Sequence, residues 1–490
     1  MQSSARSLKN IKLTAIALTL AIGFAGFYAT TSRDFRAAAY PSGAPPSHTG
    51  APGETNCSEC HYTTPPTPVN GGPGSVSISG LPANYTPGAN YPVTVTVTQQ
   101  GQVVFGFQTT ALDNINNQQA GSFTVPGGTN PQMKIINGNI GNPPNNTRNY
   151  VEQTSFGITP TQFNTKSWTF NWQAPATRKG KVTFYAAGNA ADGNSAPSND
   201  YIYTTTAGVC SGTVQSNFDG DGKSDISVFR PSNGYWFRLN SSTGQINSVQ
   251  FGLAGDKIVP GDYDGDGKND VAVWRPSNGF WYILRSSDGA FVSQQFGASS
   301  DIPVVGDFTG DAKSDLAVFR PSTGVWYTFN LVNNAFTATQ FGLNGDKPLS
   351  GDFDGDGKSD LAVYRPSTGY WFVLRSSNGN QTGVQWGAPD DRAVPGDYDG
   401  DGKTDLAVFR PSNGYWYLLR STAGFGATQF GLAGDQPVPS DYDGDCKTDI
   451  AVYRPSIGVW YYLYSSDNSF HSQQFGLDTD VPIPSATVSQ

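Results

Sequence analysis

Val394-Pro-Gly-Asp-Tyr-Asp-Gly-Asp-Gly-Lys-Thr-Asp-Leu-Ala-Val-Phe-Arg-Pro-Ser-Asn-Gly-Tyr-Trp-Tyr-Leu-Leu-Arg420 decides the fold, because the chain returns to this pattern six times from Asn217 onward. The aligned positions Asp219, Asp264, Thr309, Asp354, Asp399 and Asp443 stand 45, 45, 45, 45 and 44 residues apart. Within one unit, the alternating apolar residues of Leu406-Ala-Val-Phe409, the aromatic run Tyr415-Trp-Tyr-Leu-Leu419 and the stretch ending in Gln429-Phe430 read as strands, separated by Gly, Pro, Ser and Asn. The short Val-Pro-Gly-Asp segment before the acidic loop makes a fourth. Four strands in a 45-residue period are the signature of a β-propeller blade. Six units fill almost everything after Gly208, which predicts one six-bladed ring over 210–490. The tail Asp480-Val-Pro-Ile-Pro484 repeats the start of a unit, and the first unit lacks that start, so the tail is expected to return and close the ring.

Composition agrees. Of 39 acidic residues 36 are Asp and three are Glu, alongside 58 Gly and 33 Pro. Asp competes with the backbone and favours turns where Glu favours helix, so the chain is all-β and loop-rich. Its 62 aromatic residues can fill substantial cores and argue against disorder. The charge divides sharply: +4 before Gly208 and −13 after it. An acidic repeat half with no basic stripe excludes nucleic acid as a partner.

Each unit carries Asp-x-Asp-x-Asp-Gly-x-x-Asp between its first two strands. Alternate positions of a tight loop point inward, a backbone carbonyl can fill a further place, and the last Asp returns on the next strand; Ca²⁺ takes six to eight such oxygens. The candidate ligands are Asn217, Asp219, Asp221 and Asp225; Asp262, Asp264, Asp266 and Asp270; Asp307, Asp311 and Asp315; Asp352, Asp354, Asp356 and Asp360; Asp397, Asp399, Asp401 and Asp405; and Asp441, Asp443, Asp445 and Asp449. These 22 Asp account for most of the acid excess. Turn chemistry alone would leave four carboxylates repelling one another in nine residues. The third copy has Thr309 and Ala312 where the others have Asp and Gly, and the sixth has Cys446 at the Gly position, so both sites are expected to be weaker or empty. Six Ca²⁺ would add twelve positive charges to the −13 of this half.

The units resemble the FG-GAP or VCBS repeats of integrin-type propellers, over residues 210–490. That resemblance implies a calcium-stabilised propeller used for adhesion or ligand binding outside the cell, with the ions bracing the blades. The recurrent Arg (Arg230, Arg275, Arg320, Arg365, Arg410, Arg454) and Trp (Trp236, Trp281, Trp326, Trp371, Trp416, Trp460) have two readings, a packing ladder between blades or a lectin-like sugar surface.

Cys57-Ser-Glu-Cys60-His61 is a C-x-x-C-H sequence, which points to covalent haem c through two thioethers with His61 as the proximal iron ligand. A C-x-x-C disulfide or half of a zinc site is the alternative. His48 is the best candidate for a sixth ligand, with Met133 and His471 behind it; its flank, Pro45 to Gly53, is flexible enough in composition to fold back, and a solvated linker histidine is the other reading of His48. Cys210 and Cys446 remain as a pair, expected to form a disulfide where the first and sixth blades meet.

Residues 72–206 alternate in Tyr91-Pro-Val-Thr-Val-Thr-Val97, Ser167-Trp-Thr-Phe-Asn-Trp172 and Lys181-Val-Thr-Phe-Tyr185, which suggests a β-sandwich. The strings Tyr85-Thr-Pro-Gly-Ala-Asn-Tyr91, Gly106-Phe-Gln-Thr-Thr-Ala-Leu-Asp113, Ala120-Gly-Ser-Phe123 and Phe184-Tyr-Ala-Ala-Gly-Asn-Ala190 resemble the reeler-like sandwich of exported bacterial proteins, which implies an extracellular interaction module. At the start, Arg6, Lys9 and Lys12 precede an apolar run from Leu13 to Ala29, and Ala37-Ala-Ala39 follows; residues 1–39 therefore read as a signal peptide, with an uncleaved anchor as the rival.

The expected organisation is thus an all-β chain: signal peptide 1–39, haem-attachment segment and linker 40–71, β-sandwich 72–206, and six-bladed calcium-binding propeller 210–490, secreted, at the cell surface or in the periplasm. No Ser-His-Asp or Cys-His catalytic set can be assembled from three His, so the expectation is a binding protein and not an enzyme. The expected partners are a cell-surface protein or glycan, or a redox partner if the haem is the working part, with no transmembrane segment in the mature chain.

Overall fold

The computed structural model describes residues 42–63, 65–82, 84–138, 147–212 and 214–484. The expected signal peptide and residues 485–490 lie outside the described residues. Among the described residues strands carry almost all the regular structure, accompanied by short 3-10 turns such as Cys57–Glu59 and Pro455–Ile457. Among the described residues no helix is long and apolar enough to cross a membrane.

The repeat half forms six four-stranded antiparallel sheets in succession. In the fifth, Arg392–Ala393, Leu406–Arg410, Tyr415–Arg420 and Gly424–Gln429 lie side by side in chain order. Burial falls along that order for a reason legible in the residues. Ala407, Val408 and Phe409 of the second strand are all buried, because apolar side chains on both faces meet the neighbouring sheets; the third strand alternates buried Trp416 and Leu418 with half-buried Tyr415 and Tyr417; the fourth is largely exposed. The Pro-Ser-Asn-Gly turn needs its glycine: Gly414 has φ 70°, and a Cβ there would stand 2.2 Å from the Gly431 carbonyl oxygen.

Each core cluster spans two consecutive sheets. Trp274 and Trp281 pack with Leu316 and Val318 of the next sheet, and Trp460 of the sixth packs with Ile226 and Val228 of the first. The first sheet takes its missing strand from the end of the chain, where Val481–Pro482 pairs antiparallel with Ile226–Arg230 in the register Val228 to Pro482 and Phe229 to Val481. The acidic loops are also chained: a backbone N–H of each donates to the first-position carbonyl of the preceding loop, at 2.6–2.7 Å. The donors run Asn269 to Asn217, Ser314 to Asp262, Ser359 to Asp307, Thr404 to Asp352, Thr448 to Asp397, and Ser224 back to Asp441.

The N-terminal half has two sheets around one core. Ser75–Ser79, Asn90–Thr98, Thr165–Gln173 and Ser122–Thr124 form one; Asn84–Tyr85, Tyr201–Ser211, Val182–Ala191, Val104–Asp113, Asn149–Gln153 and Met133–Asn137 form the other. Period-two alternation sends Val93, Val95, Val97, Trp168, Phe170 and Trp172 inward to meet Phe107, Phe184 and Ala186 of the larger sheet.

The expected haem-attachment segment and linker is pinned to the larger sheet where described: the Glu54 carboxylate accepts from Arg148 at 2.6 Å and from Tyr150 at 2.7 Å, and the side chains of Glu54 and Arg148 are both fully buried. The last strand of this half, Tyr201–Ser211, runs past the sandwich boundary expected at 206. It thereby carries Cys210 to Cys446, with which it forms a disulfide (Cα–Cα 5.6 Å). Beside that bond the basic turn Arg178–Lys181 lies on the acidic loops: Arg178 Nε is 3.0 Å from Asp352 Oδ2, Arg178 N donates to Gly355 O at 3.0 Å, and Lys181 Nζ reaches Gly444 O at 3.3 Å.

Candidate functional sites: acidic loops and a cysteine-histidine cavity

The fifth loop shows how the acidic sequence folds. Asp397 Oδ1 accepts from Gly400 N at 2.6 Å and Oδ2 from Gly402 N at 2.8 Å, which winds the loop around its first carboxylate. Asp405 accepts from Tyr398 N at 2.8 Å and Ser421 N at 2.7 Å, tying the loop's end to the hairpin of the third and fourth strands. Asp399 accepts from Thr422 N at 3.0 Å and Asp401 from the Ser421 hydroxyl, yet Asp399 Oδ1 is buried without a partner. Carboxylate oxygens of Asp397, Asp399 and Asp405 lie within 4.8 Å of one another.

The same convergence occurs for Asp262, Asp264 and Asp270, for Asp352, Asp354 and Asp356, and for Asp441, Asp443 and Asp449. Asp266, Asp360, Asp401 and Asp445 complete these loops through serine or backbone partners. The sixth loop was expected to suffer from Cys446. It keeps the cluster, because Cys446 adopts φ 71° and still donates its N–H to Asp441 Oδ2 at 2.8 Å. In the first loop Asn217 Oδ1 accepts from Gly220 N at 2.8 Å, Asp225 from Phe218 N at 2.8 Å, and Asp219 and Asp221 from the Ser242 and Ser241 hydroxyls at 2.7 and 2.9 Å. The third loop holds Asp307 on Gly310 N and Ala312 N, but Asp311 and Asp315 meet the side-chain amide of Asn330.

Burial first, and repulsion from neighbouring carboxylates after it, drive these carboxyls up against the lowering effect of their hydrogen bonds. Asp405 and Asp441 are pushed to about 8, and Asp397, Asp449 and Asp270 to about 7, with burial the largest cause in each. Asp262, Asp225, Asp315 and Asp360 are raised to about 6, and Asp307 and Asp352 are raised as well. An all-oxygen donor set with an orphaned buried carboxylate oxygen fits a hard divalent cation of the Ca²⁺ type.

The repeated Trp are buried and the repeated Arg are paired. All six Trp are at most 1% exposed, and each indole donates to a carbonyl at the end of its own sheet, as Trp416 to Phe430 O at 2.8 Å. Each Arg makes a bidentate pair with a buried Asp: Arg275 with Asp256, Arg320 with Asp301, Arg365 with Asp346, Arg410 with Asp391 and Arg454 with Asp435, at 2.7–2.9 Å. Their guanidinium carbons sit 4.5–4.7 Å from the ring centroid of a Tyr or Phe on the next strand. The packing-ladder reading therefore describes them.

The Cys-x-x-Cys-His segment opens on a different site. Asn56 caps the 3-10 turn Cys57–Glu59 by accepting from Ser58 N, and His61 N donates to Cys57 O at 3.0 Å. Cys57, Cys60, His61 and His48 all line one cavity of about 240 Å³ whose wall includes Phe105, Phe107, Ile158 and Ala191. The two thiols are free, and burial pushes that of Cys57 up to about 12. His61 Nδ1 meets Asp200 Oδ2 at 2.5 Å and Asn189 Nδ2 at 3.1 Å, and its Nε2 makes no hydrogen bond among the described residues. Backbone pairing of Tyr62 with Pro197 and Asp200 brings that carboxylate in from the far end of the domain. Asp200 has no motif of its own, and sequence reasoning missed it. His48 is largely buried, not solvated: its Nδ1 meets Pro45 O at 2.9 Å and its Nε2 lies 3.0 Å from Glu59. Met133 sits in the two-sheet core and His471 stacks on Tyr462 and Tyr464 of the last sheet, so neither belongs to this cavity.

Residues 217–273, 262–318, 352–408 and 397–452 match the FG-GAP-like repeat. The matched stretches lie within the six four-stranded sheets and, with them, support a β-propeller repeat in the second half. A comparison with curated proteins finds no match. Among solved structures, the human F-spondin reeler domain is 19% identical and covers 28% of this chain and 88% of its own, with a TM-score of 0.20. The Dos1 propeller is 11% identical over 61% of this chain and 81% of its own, at TM-score 0.30. An auxiliary nutrient binding protein from Bacteroides thetaiotaomicron is 10% identical over 77% and 96%, also at TM-score 0.30.

Proposed function

We propose that this chain is an exported binding protein whose second half is a closed six-bladed propeller braced by calcium and whose first half is a reeler-like sandwich. The observation that carries the reading is the convergence, in four loops of one repeat, of three carboxylates within 4.8 Å. Like charges buried this closely ask for a cation, and their oxygens are those a calcium ion takes. The Cys210–Cys446 disulfide supports an oxidising compartment outside the cytoplasm. With Trp and Arg committed to packing, binding of a cell-surface protein or nutrient falls to the loops and rims, not to a lectin-like aromatic ring. Thermal melts at stepped calcium concentrations test the reading: a melting temperature that climbs with calcium and falls on chelation is expected, and insensitivity to both defeats it.

A second reading, extracytoplasmic electron transfer, is favoured by the cavity that gathers both cysteines, His61 and His48. Two free thiols and an imidazole with an unengaged Nε2 fit a covalently held haem c. Cys57 and Cys60 would hold the group through thioethers and His61 Nε2 would meet its iron, while Phe105, Phe107 and Ile158 exclude water. When bound, the group supplies one-electron redox chemistry. A purified protein without a covalently retained haem spectrum would remove this reading and leave the first untouched.

A further inference from the structure

The third acidic loop differs from its five siblings in ways that belong together. It lacks the second carboxylate, having Thr309, and lacks the glycine, having Ala312, which is held at φ 65°. Opposite the loop, on the hairpin between the third and fourth strands, the other units carry a hydroxyl pair: Ser241-Ser242, Ser286-Ser287, Ser376-Ser377, Ser421-Thr422 and Ser465-Ser466. These hydroxyls meet the middle carboxylates of their loops, as Ser287 Oγ meets Asp264 at 2.6 Å and Ser286 Oγ meets Asp266 at 2.8 Å. The third unit has Leu331-Val332 there and offers no hydroxyl.

Asn330, 2% exposed, stands in the gap. Its Oδ1 accepts from Val332 N and Asn333 N, both at 2.9 Å, which fixes the orientation of the amide and turns Nδ2 toward the loop. Nδ2 then lies 2.7 Å from Asp315 Oδ1, 2.8 Å from Asp311 Oδ2 and 2.9 Å from Thr309 Oγ1. Those are the ninth, fifth and third positions of the loop; in the sibling clusters the first and third positions converge with the ninth in three loops and with the fifth in one. An asparagine at this place is not sufficient alone: Asn240 occupies it in the first unit, where Ser241 and Ser242 are retained and meet Asp221 and Asp219.

We propose that the third loop is closed to calcium and that the Asn330 side-chain amide takes the cation's place there. The inference rests on the reading that the sibling loops bind calcium. An amide N–H pair supplies a fixed partial positive charge at donor distances, enough for a loop that has already given up one carboxylate. The consequence is a permanently ordered member in the circle of chained loops: Ser314 N donates back to Asp262 O in the second loop, and Ser359 N of the fourth donates to Asp307 O. Loops two and four therefore fold against a neighbour that needs no ion.

The test counts bound calcium on the full-length, disulfide-intact protein after chelation and equilibrium dialysis against calcium, for four proteins: the natural chain, Asp311→Asn, Asp401→Asn, and the third unit returned to the pattern of its siblings by Thr309→Asp, Ala312→Gly, Asn330→Arg, Leu331→Ser and Val332→Ser. The near-isosteric Asp311→Asn is expected to bind as many ions as the natural chain, Asp401→Asn one fewer, and the restored unit one more. Loss of an ion in Asp311→Asn overturns the inference while leaving the calcium reading intact. A natural chain that binds no calcium removes the calcium reading, and this inference with it. If the restored unit fails to melt cooperatively, the comparison of Asp311→Asn with Asp401→Asn decides alone.

Discussion

Asp200 gives the Cys57-Ser-Glu-Cys60-His61 motif a chemical bias that the motif does not state. Its carboxylate is 2% exposed, one oxygen meets His61 Nδ1 and the other is buried without a partner. A carboxylate at Nδ1 fixes the orientation of the ring and leaves Nε2 as the nitrogen open to a metal. With haem attached, that negative charge favours the ferric state. Asp200→Asn preserves shape and removes the charge, so the expected outcome is a shift of about tenfold toward the ferrous state, a potential about 59 mV higher for a one-electron couple, read by spectroelectrochemical titration. An unchanged midpoint would mean that Asp200 only holds the segment in place.

At the scale of the element, the acidic loops bind protons where they lack cations. Asp405 and Asp441 sit near 8 and Asp397, Asp449 and Asp270 near 7, because burial and neighbouring carboxylates penalise their charge; in an unfolded chain the same groups titrate near 3.9. Between about pH 4 and 8 the folded, cation-free protein therefore holds more protons than the unfolded one, and its stability falls as pH rises through that window. Calcium competes with those protons, so its stabilising effect grows over the same range. Melts in chelator should decline from pH 5 to pH 8, and melts in saturating calcium should stay nearly flat; parallel curves would contradict the assignment. The loops were legible in the sequence because their ligands are local and their spacing repeats. Asn330 was not, since the same residue type at Asn240 does something else, and the deciding change lies in the loss of two hydroxyls across the hairpin. Asp200 and Arg178 were not legible either, because each reaches its partner across more than a hundred residues and carries no periodic mark. The tie between Cys210 and Cys446 was legible by elimination, while the fixed course of residues 48–56 depended on a buried Arg148–Glu54 pair that no pattern announces.

The whole molecule has one seam, where the first sheet meets the sixth. Every other sheet takes the Asp of its Arg–Asp pair from its own unit, 19 residues before the Arg; only Arg230 takes it from Asp480, 250 residues later, at 2.7 and 2.8 Å. The same tail strand adds the missing edge of the first sheet and buries Ile483 among Phe229 and Trp236. The disulfide ties the sixth acidic loop to the last strand of the N-terminal half, which leads directly into the first unit, and closes a loop of 236 residues, for which chain entropy sets an upper value of about 5 kcal/mol. The two tethers act on neighbouring elements: when the disulfide is intact, a loosened tail stays near its sheet, and when it is reduced the tail, the shared core of Trp460, Ile226 and Val228 and the Ser224–Asp441 backbone bond join the first sheet to the sixth. Asp480→Ala leaves Arg230 without its partner, a loss of about 1–3 kcal/mol, and is expected to lower the melting temperature more in reductant than without it. Asp256→Ala removes the corresponding pair from the second sheet, away from the seam, and its loss should be the same in both conditions. Measured at saturating calcium, equal redox dependence for the two variants would show that the tail and the disulfide do not share the work of closure.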